Sequence, residues 1–307
     1  MGETHILIPA YNAADTIAAT VESVQLQTPR LDGIAGMYLA DDGSRDETSA
    51  VARAAWTSPI PLRVLRAERN AGQWNNVNQA MLSLDSTAEW VLLLHADDLA
   101  KPHWLETMLA RIHACGPRVA SICTSWESLL PDGRVVGGED LPGRPVKVID
   151  GTWTAVRDTV VKGCWWHISG CAIRLSAFND IGPFNPALDV ADWEWLLRCL
   201  ARGWQVEYVP RTLIQYRQHA ASISSASFWR DRDIQESLAL CQRYAPLLSL
   251  GQRCEFHFRR AKYAVRRLGR AVLRRQPKRA LVSARSLGLV GASLTRCVAT
   301  PTRRYDL

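Results

Sequence analysis

Three things are scarce or missing in this sequence, and each removes a class of protein. None of the eight cysteines stands in a CxxC pair, and most have apolar neighbours. A disulfide framework or a structural zinc site needs such spacings, so buried free thiols in a reducing compartment are expected. No apolar run reaches the roughly 20 residues that cross a bilayer. The opening Met1-Gly2-Glu3-Thr4 leads straight into a strand-like run, so no secretory leader is expected there. Acid is scarce toward the C-terminus. From Gly251 onward only Glu255 and Asp306 oppose fifteen Lys and Arg, although the whole chain is only +7. A mildly acidic body and a strongly basic tail should therefore do separate jobs.

What is present is a chain of 307 residues, 47 % of them hydrophobic, enough for a large folded core. Strand and helix patterns alternate through the first hundred residues. His5-Ile6-Leu7-Ile8, Gly36 to Ala40, Leu62 to Leu65 and Trp90 to Leu94 read as strands. Between them, Ala13 to Gln27, Asp46 to Ala55 and Val77 to Leu84 carry helical spacing. Such alternation predicts an α/β fold with a mainly parallel sheet flanked by helices. Ligands in these sheets bind beyond the carboxyl ends of the strands, where the polar clusters of this sequence fall. Farther on, Pro131 to Asp150 reads as a loop or hairpin. Asp192 to Arg202 and Phe228 to Tyr244 read as helices. Phe258 to Arg275 reads as a basic amphipathic helix, with Phe258, Ala261, Val265, Leu268 and Val272 along one face.

Carboxylates carry the chemistry. Asp41-Asp42 follows the second strand and Asp97-Asp98 the fourth. Taken singly, each pair reads as loop or cap aspartates. Two adjacent acid pairs at one sheet edge repel, and a cation with hydrogen-bond donors would offset that. A nucleotide with Mg²⁺ or Mn²⁺ supplies both.

The sequence resembles the inverting family 2 glycosyltransferases of GT-A fold, over about residues 4 to 222. Ile8-Pro9-Ala10-Tyr11-Asn12 looks like their first turn, Asp41-Asp42-Gly43-Ser44 their nucleotide-binding turn, and Asn70-Ala71-Gly72 with Asn78 their third motif. His95-Ala96-Asp97-Asp98 takes the place of their DxD metal motif. Ser169-Gly170, Ile181-Gly182-Pro183-Phe184, Asp192 to Arg198 and Tyr216-Arg217-Gln218-His219 follow in family order.

The resemblance implies a GT-A domain over residues 1–225, with a nucleotide-binding half (1–100) and an acceptor half (101–225). A basic helical extension (226–307) would follow. It implies metal-dependent, inverting transfer of a sugar from a UDP- or dTDP-sugar to a hydroxyl of a glycan or lipid-linked acceptor. Pro9, Tyr11, Asn12, Asp41, Asp42, Asn78 and Asp97 would meet the donor, and Asp98 the Mn²⁺ or Mg²⁺, with His219 near the metal or diphosphate. Asp192 would be the general base, a role compatible with capping the helix that follows it. Trp165, Trp166, His167, Ser169 and Gly170 would line the acceptor side, although core packing explains any single Trp equally well. Two positions depart from the family pattern. His95 stands where an Asp is usual; its imidazole can ligate Mn²⁺ or serve as a hydrogen-bonding residue on a buried strand end, and the second reading is favoured. Ala191 stands where many relatives have Glu, which leaves Asp192 as the obvious base.

The basic tail is expected to touch an anionic membrane face, which places the protein in the cytoplasm at the inner side of a membrane. Homodimer contacts are its alternative use. No nucleic-acid motif is present, so nucleic acid is not an expected partner. A non-catalytic protein that keeps the fold and binds nucleotide-sugars is the competing function.

Overall fold

The computed structural model describes residues 2–27, 31–138, 144–219 and 227–300. The expected loop over Pro131 to Asp150 lies partly outside these residues, as do Arg303, Arg304 and Asp306 of the tail.

The described chain forms two compact units. The first holds residues 1–151, 166–186 and 198–218; the second holds 152–165, 187–197 and 219–307.

The first unit is built on one sheet. The four strands legible in the sequence are β1 (Glu3–Ala10), β2 (Ile34–Asp41), β3 (Leu62–Arg66) and β4 (Ala88–Leu93). They run parallel in the order β3-β2-β1-β4. The sheet continues through β5 (Leu99–Ala100), β6 (Val119–Leu129), β7 (Val135–Gly137), β8 (Lys147–Ile149), β9 (Cys171–Arg174) and β10 (Gln205–Arg217). The edge beyond β4 reads β9-β6-β10-β5. There β9 is antiparallel to both neighbours, whereas β6 and β10 are parallel. Strand order turns back between β1 and β4, the kind of place where open α/β sheets leave a ligand crevice.

Helices α1 (Ile17–Gln25), α2 (Thr48–Ala55), α3 (Gln73–Leu82), α4 (Trp104–Ala114) and α6 (Leu175–Ile181) belong to this unit. Its main core joins Ile6, Ile8, Ile17, Val21, Leu39, Leu92, Trp104 and Met108, all nearly or fully buried. On β4, Trp90, Val91, Leu92 and Leu93 are buried in succession, which explains why that strand reads apolar at every position instead of alternating.

The second unit is helical. It contains α5 (Trp153–Lys162), the first seven residues of α7 (Ala191–Ala201), and helices over Arg232–Tyr244, Leu250–Leu273 and Pro277–Ala299. Ser249 starts the Leu250–Leu273 helix with a reciprocal capping box to Gln252. All eight cysteines are free thiols; Cys164 and Cys254 are exposed.

The basic helix expected over Phe258 to Arg275 forms as part of the Leu250–Leu273 helix, and its apolar face points away from the core. Phe258, Val265 and Val272 do not face the core. The helix instead buries Arg253, Phe256, His257, Ala264, Arg267 and Ala271. Arg267 can be buried because it stacks on Phe228 at 3.8 Å and pairs with Asp233 at 2.9 Å.

Candidate active site

The turns after β1, β2 and β4 meet at one edge of the sheet. Pro9 is buried at the end of β1, and Tyr11 beyond it is exposed. Asn12 takes a left-handed conformation (φ 48°), one that Asn tolerates better than most residues. Its backbone N–H donates to Ser44 Oγ (2.9 Å) and its Oδ1 accepts from the Arg45 N–H (2.8 Å), which ties the first turn to the second.

The paired acids after β2 serve the protein itself. Asp41 is fully buried: Oδ1 accepts from the Ser44 N–H at 2.8 Å and Oδ2 from the Ser49 hydroxyl. It shapes the turn, with both carboxylate oxygens hydrogen-bonded inside the protein. Asp42 accepts from the Ala71 and Gly72 N–H groups (2.8 and 2.9 Å), joining the nucleotide-binding turn to the Asn70-Ala71-Gly72 motif. A carboxylate has about four acceptor sites, so Asp42 keeps capacity for a ligand. Asn78 is a correction. Its amide closes on the Phe184 backbone at both ends, Nδ2 to the carbonyl at 2.8 Å and Oδ1 from the N–H at 2.9 Å. It pins the Ile181-Gly182-Pro183-Phe184 loop instead of lining the donor cleft.

The turn after β4 is different, because it leaves two buried polar atoms, on His95 and Asp98, without a hydrogen-bond partner among the described residues. His95, Asp97 and Asp98 place one ligand atom each within 4.8 Å of one another. Asp98 is fully buried. Its Oδ1 accepts from the Arg217 N–H at 2.9 Å, and its Oδ2 has no hydrogen-bond partner among the described residues. Burial, and then the charge of Asp97, push the Asp98 carboxyl up to about 8, with Ser169 and Arg217 acting the other way. His95 Nε2 is likewise buried without a hydrogen-bond partner among the described residues. The hydrogen-bonding role expected of that ring is therefore absent, and the nitrogen is open to a ligand. Two carboxylates and an imidazole suit Mn²⁺ or Mg²⁺, with Mn²⁺ more tolerant of nitrogen.

Neighbouring elements lock this turn. Thr16 and Thr20 of α1 both donate to the Ala96 carbonyl at 2.9 Å. Ser169 Oγ accepts from the His95 N–H at 3.1 Å, and Arg217 Nε donates to the Asp97 carbonyl at 2.8 Å. Gly170 lets the Ser169 loop come this close. Its N–H donates to the Leu93 carbonyl at 2.6 Å, its φ is 84°, and a Cβ there would sit 2.2 Å from Ile214 Cγ1. Gly170→Ala should destabilise the fold by about 2–4 kcal/mol through overpacking and backbone strain, measured by denaturant unfolding.

The acceptor-side aromatics are redistributed. Trp166 is 2 % exposed and donates to Ser121 Oγ at 2.9 Å, so it is a core residue and not a sugar wall. Trp165 lies in the second unit, where its Nε1 donates to Thr159 Oγ1 at 3.1 Å. His167 stays beside the open turn. It stacks on Trp126 at 4.5 Å and meets Tyr216 edge-on at 5.4 Å. Burial lowers it to about 4, so it is neutral at ordinary pH. Sequence reading missed Trp126, Tyr216 and Arg217 as site residues, because pairing of β6 with β10 is what brings them together. Only the Tyr216-Arg217-Gln218-His219 motif pointed toward two of them.

Asp192 and His219 belong to the second unit. Asp192 is half-buried in the first turn of α7, and its Oδ1 accepts from the Trp193 N–H at 2.8 Å. Burial raises its carboxyl to about 6. The segment before α7 is clasped by the Arg232–Tyr244 helix. Glu236 Oε2 accepts from the Asp189 and Val190 N–H groups (2.8 and 3.0 Å), and Arg232 holds Glu236 Oε1 at 2.6 Å. No motif flagged Arg232 or Glu236, since their importance comes from packing. His219 is partly buried and lies two residues beyond Arg217.

Residues 5–128 match the family model described as Glycosyl transferase family 2. Two succinoglycan biosynthesis proteins of Rhizobium meliloti are similar: ExoO, 31 % identical over 116 residues, and ExoU, 39 % identical over 106. These matches cover 37 % and 34 % of this chain but only 31 % and 29 % of the relatives' own lengths. A mannosyltransferase of Pyrobaculum calidifontis, solved with GDP-Man and Mn²⁺, shares the fold with a TM-score of 0.61 at 15 % identity, over 95 % of this chain and 75 % of its own. S. aureus TarS 1-349 in complex with UDP-GlcNAc does so with a TM-score of 0.60 at 14 % identity, over 99 % and 94 %. Residues 5–128, which hold the turns after β1, β2 and β4, are thus similar to glycosyl transferase family 2, and the chain shares the fold of these two solved proteins.

Proposed function

We propose that the protein is an inverting glycosyltransferase, dependent on Mn²⁺ or Mg²⁺, that moves a sugar from a nucleoside-diphosphate donor to a hydroxyl of a glycan or lipid-linked acceptor. The observation that carries this reading is the clustering of His95, Asp97 and Asp98 at the end of β4, with one ligand atom each within 4.8 Å of one another. Its buried Asp98 Oδ2 lacks a partner among the described residues. The ligands named for the two solved neighbours, GDP-Man with Mn²⁺ and UDP-GlcNAc, support the substrate class. The succinoglycan relatives support an acceptor from polysaccharide assembly.

Asp98 would hold the metal, with His95 beside it, and Asp97 would meet the ribose. Asp42, Pro9, Tyr11 and Asn12 would frame the base. The bound metal would supply charge stabilisation for the departing diphosphate. Asp192 would take the proton of the acceptor hydroxyl as that oxygen attacks the anomeric carbon, since a base raised to about 6 is still ionised at neutral pH. His219 would approach the diphosphate. Trp126, His167 and Tyr216 would present ring faces to a sugar.

Calorimetric titration with UDP, dTDP and GDP, each with Mn²⁺ and then with EDTA, tests this. One nucleotide, UDP or dTDP by resemblance, should bind with Mn²⁺ and be released by EDTA. Failure of all three to bind well-folded protein would overturn the donor site.

A further inference from the structure

The basic helix Leu250–Leu273 and the helix after it pack together through their small and polar residues. The second helix buries Ser283, Ser286, Val290, Ser293 and Cys297. His257 Nε2 lies 3.1 Å from Ser293 Oγ, and Arg253 Nη1 donates to the Cys297 carbonyl at 2.9 Å. Large apolar residues are left outside. Phe258 is 68 % exposed, Val265 53 %, Val272 60 % and Leu273 84 %. Phe258, Val265 and Val272 are spaced seven apart, so they form one line along the helix. An exposed apolar line of this length marks a contact surface.

Charge identifies what covers it. Lys262 and Arg266 are exposed and lie to one side of that line, and Arg270, Arg274, Arg275, Lys278 and Arg279, also exposed, follow toward its end. The sequence has no acidic residue between Glu255 and Asp306. A second copy of the chain would bring the same density of positive charge against the line, and the pair would repel. An anionic phospholipid surface satisfies both features at once. It accepts apolar side chains at the acyl boundary while Lys and Arg reach its phosphates. No helix of the described residues is long and apolar enough to cross a membrane, so the contact would lie along the surface.

We infer that the Leu250–Leu273 helix seats the protein on anionic phospholipid through Phe258, Val265 and Val272, with Lys262 and Arg266 beside them and Arg270 nearby. This inference does not rest on sugar transfer, because vesicle binding is measured with neither donor nor acceptor present.

The test is flotation of the full chain with vesicles of phosphatidylcholine alone and of phosphatidylcholine mixed with phosphatidylglycerol. Binding is expected only to the mixed vesicles and should weaken as salt rises. The triple substitution Phe258→Ser, Val265→Ser, Val272→Ser should bind about tenfold more weakly or worse. Lys262→Glu, Arg266→Glu, Arg270→Glu should do the same. Phe258→Trp, which keeps the apolar bulk, should bind as well as the unaltered chain and shows that the loss is not a folding defect. Equal binding by the serine variant would overturn the inference, as would failure of the unaltered chain to bind. Self-association that the serine variant abolishes, without vesicle binding, would assign the line to a second copy instead.

Discussion

Asp192→Asn should lower sugar transfer about 10²–10⁴-fold while nucleotide binding stays close to that of the unaltered chain. Asn keeps the shape of the side chain, and its carbonyl oxygen can still accept from the Trp193 N–H. What it cannot do is take a proton. The Arg232–Glu236 clasp on Asp189 and Val190 does not involve the substituted group, so the position of α7 should survive. Initial rates with saturating donor, set beside calorimetric nucleotide titration, separate the two effects. Near-normal transfer by the variant would remove Asp192 as the base. In the unaltered enzyme, activity should fall on the acid side around pH 6, where the Asp192 carboxyl takes up its proton.

The same substitution should change stability in the opposite direction. Burial lifts the Asp192 carboxyl from 3.8 to about 6, so the folded state holds a proton that the unfolded chain has already released. Between those two values the unfolded chain binds fewer protons, and stability from this group falls as pH rises. Above about pH 6 the full penalty is present, on the order of 1–3 kcal/mol. Asp192→Asn removes the ionising group. Its melting temperature should match that of the unaltered chain near pH 4 and exceed it at pH 8. A residue that costs stability in its charged form is expected where chemistry, not packing, requires it.

Much of this was legible in the sequence where local pattern determines structure. The four parallel strands appear as apolar runs that stop at polar turns, and each turn reached the same sheet edge. The later half was less legible for a physical reason. β9 is four residues long and held by antiparallel pairing on both sides, so its position depends on strands far away in sequence. Asn78 was misread, and the partners of Asp41 were not legible, because sequence shows that a polar group needs a partner but not which one. Asp41 found Ser44 and Ser49, and Asn78 found the Phe184 backbone. The Leu250–Leu273 helix misled in another way. Its periodicity was real, and the buried face holds Phe256, His257 and alanines together with Arg253, which donates to a backbone carbonyl, and Arg267, which stacks on Phe228 and pairs with Asp233. An apolar line on a helix locates a contact without saying whether the contact is internal.

Asp98→Asn should abolish the stabilisation that Mn²⁺ with nucleotide confers, and leave the metal-free protein almost unchanged. In the metal-free state the Asp98 carboxyl, lifted to about 8 by burial and by Asp97, is mostly protonated at pH 7. A neutral amide of the same shape therefore replaces a largely neutral acid, and the contact with the Arg217 N–H can persist. With ligand the two proteins diverge. A cation needs the carboxylate, and an amide oxygen is a weaker ligand without the charge. At about a hundredfold excess over Kd, binding adds roughly 2.7 kcal/mol, which raises the melting temperature by about 4 °C in a chain of this size. That rise should appear in the unaltered chain, vanish with EDTA, and be missing from the variant under all conditions. If the variant still gained the full increment, the metal would sit elsewhere and the β4 turn would lose its role. If the metal-free variant were much less stable than the metal-free unaltered chain, Asp98 would be a structural acid whose unpartnered oxygen has some other purpose. A metal-dependent rise confined to the unaltered chain would identify the one buried carboxylate at this edge that the fold leaves incomplete until a cation arrives.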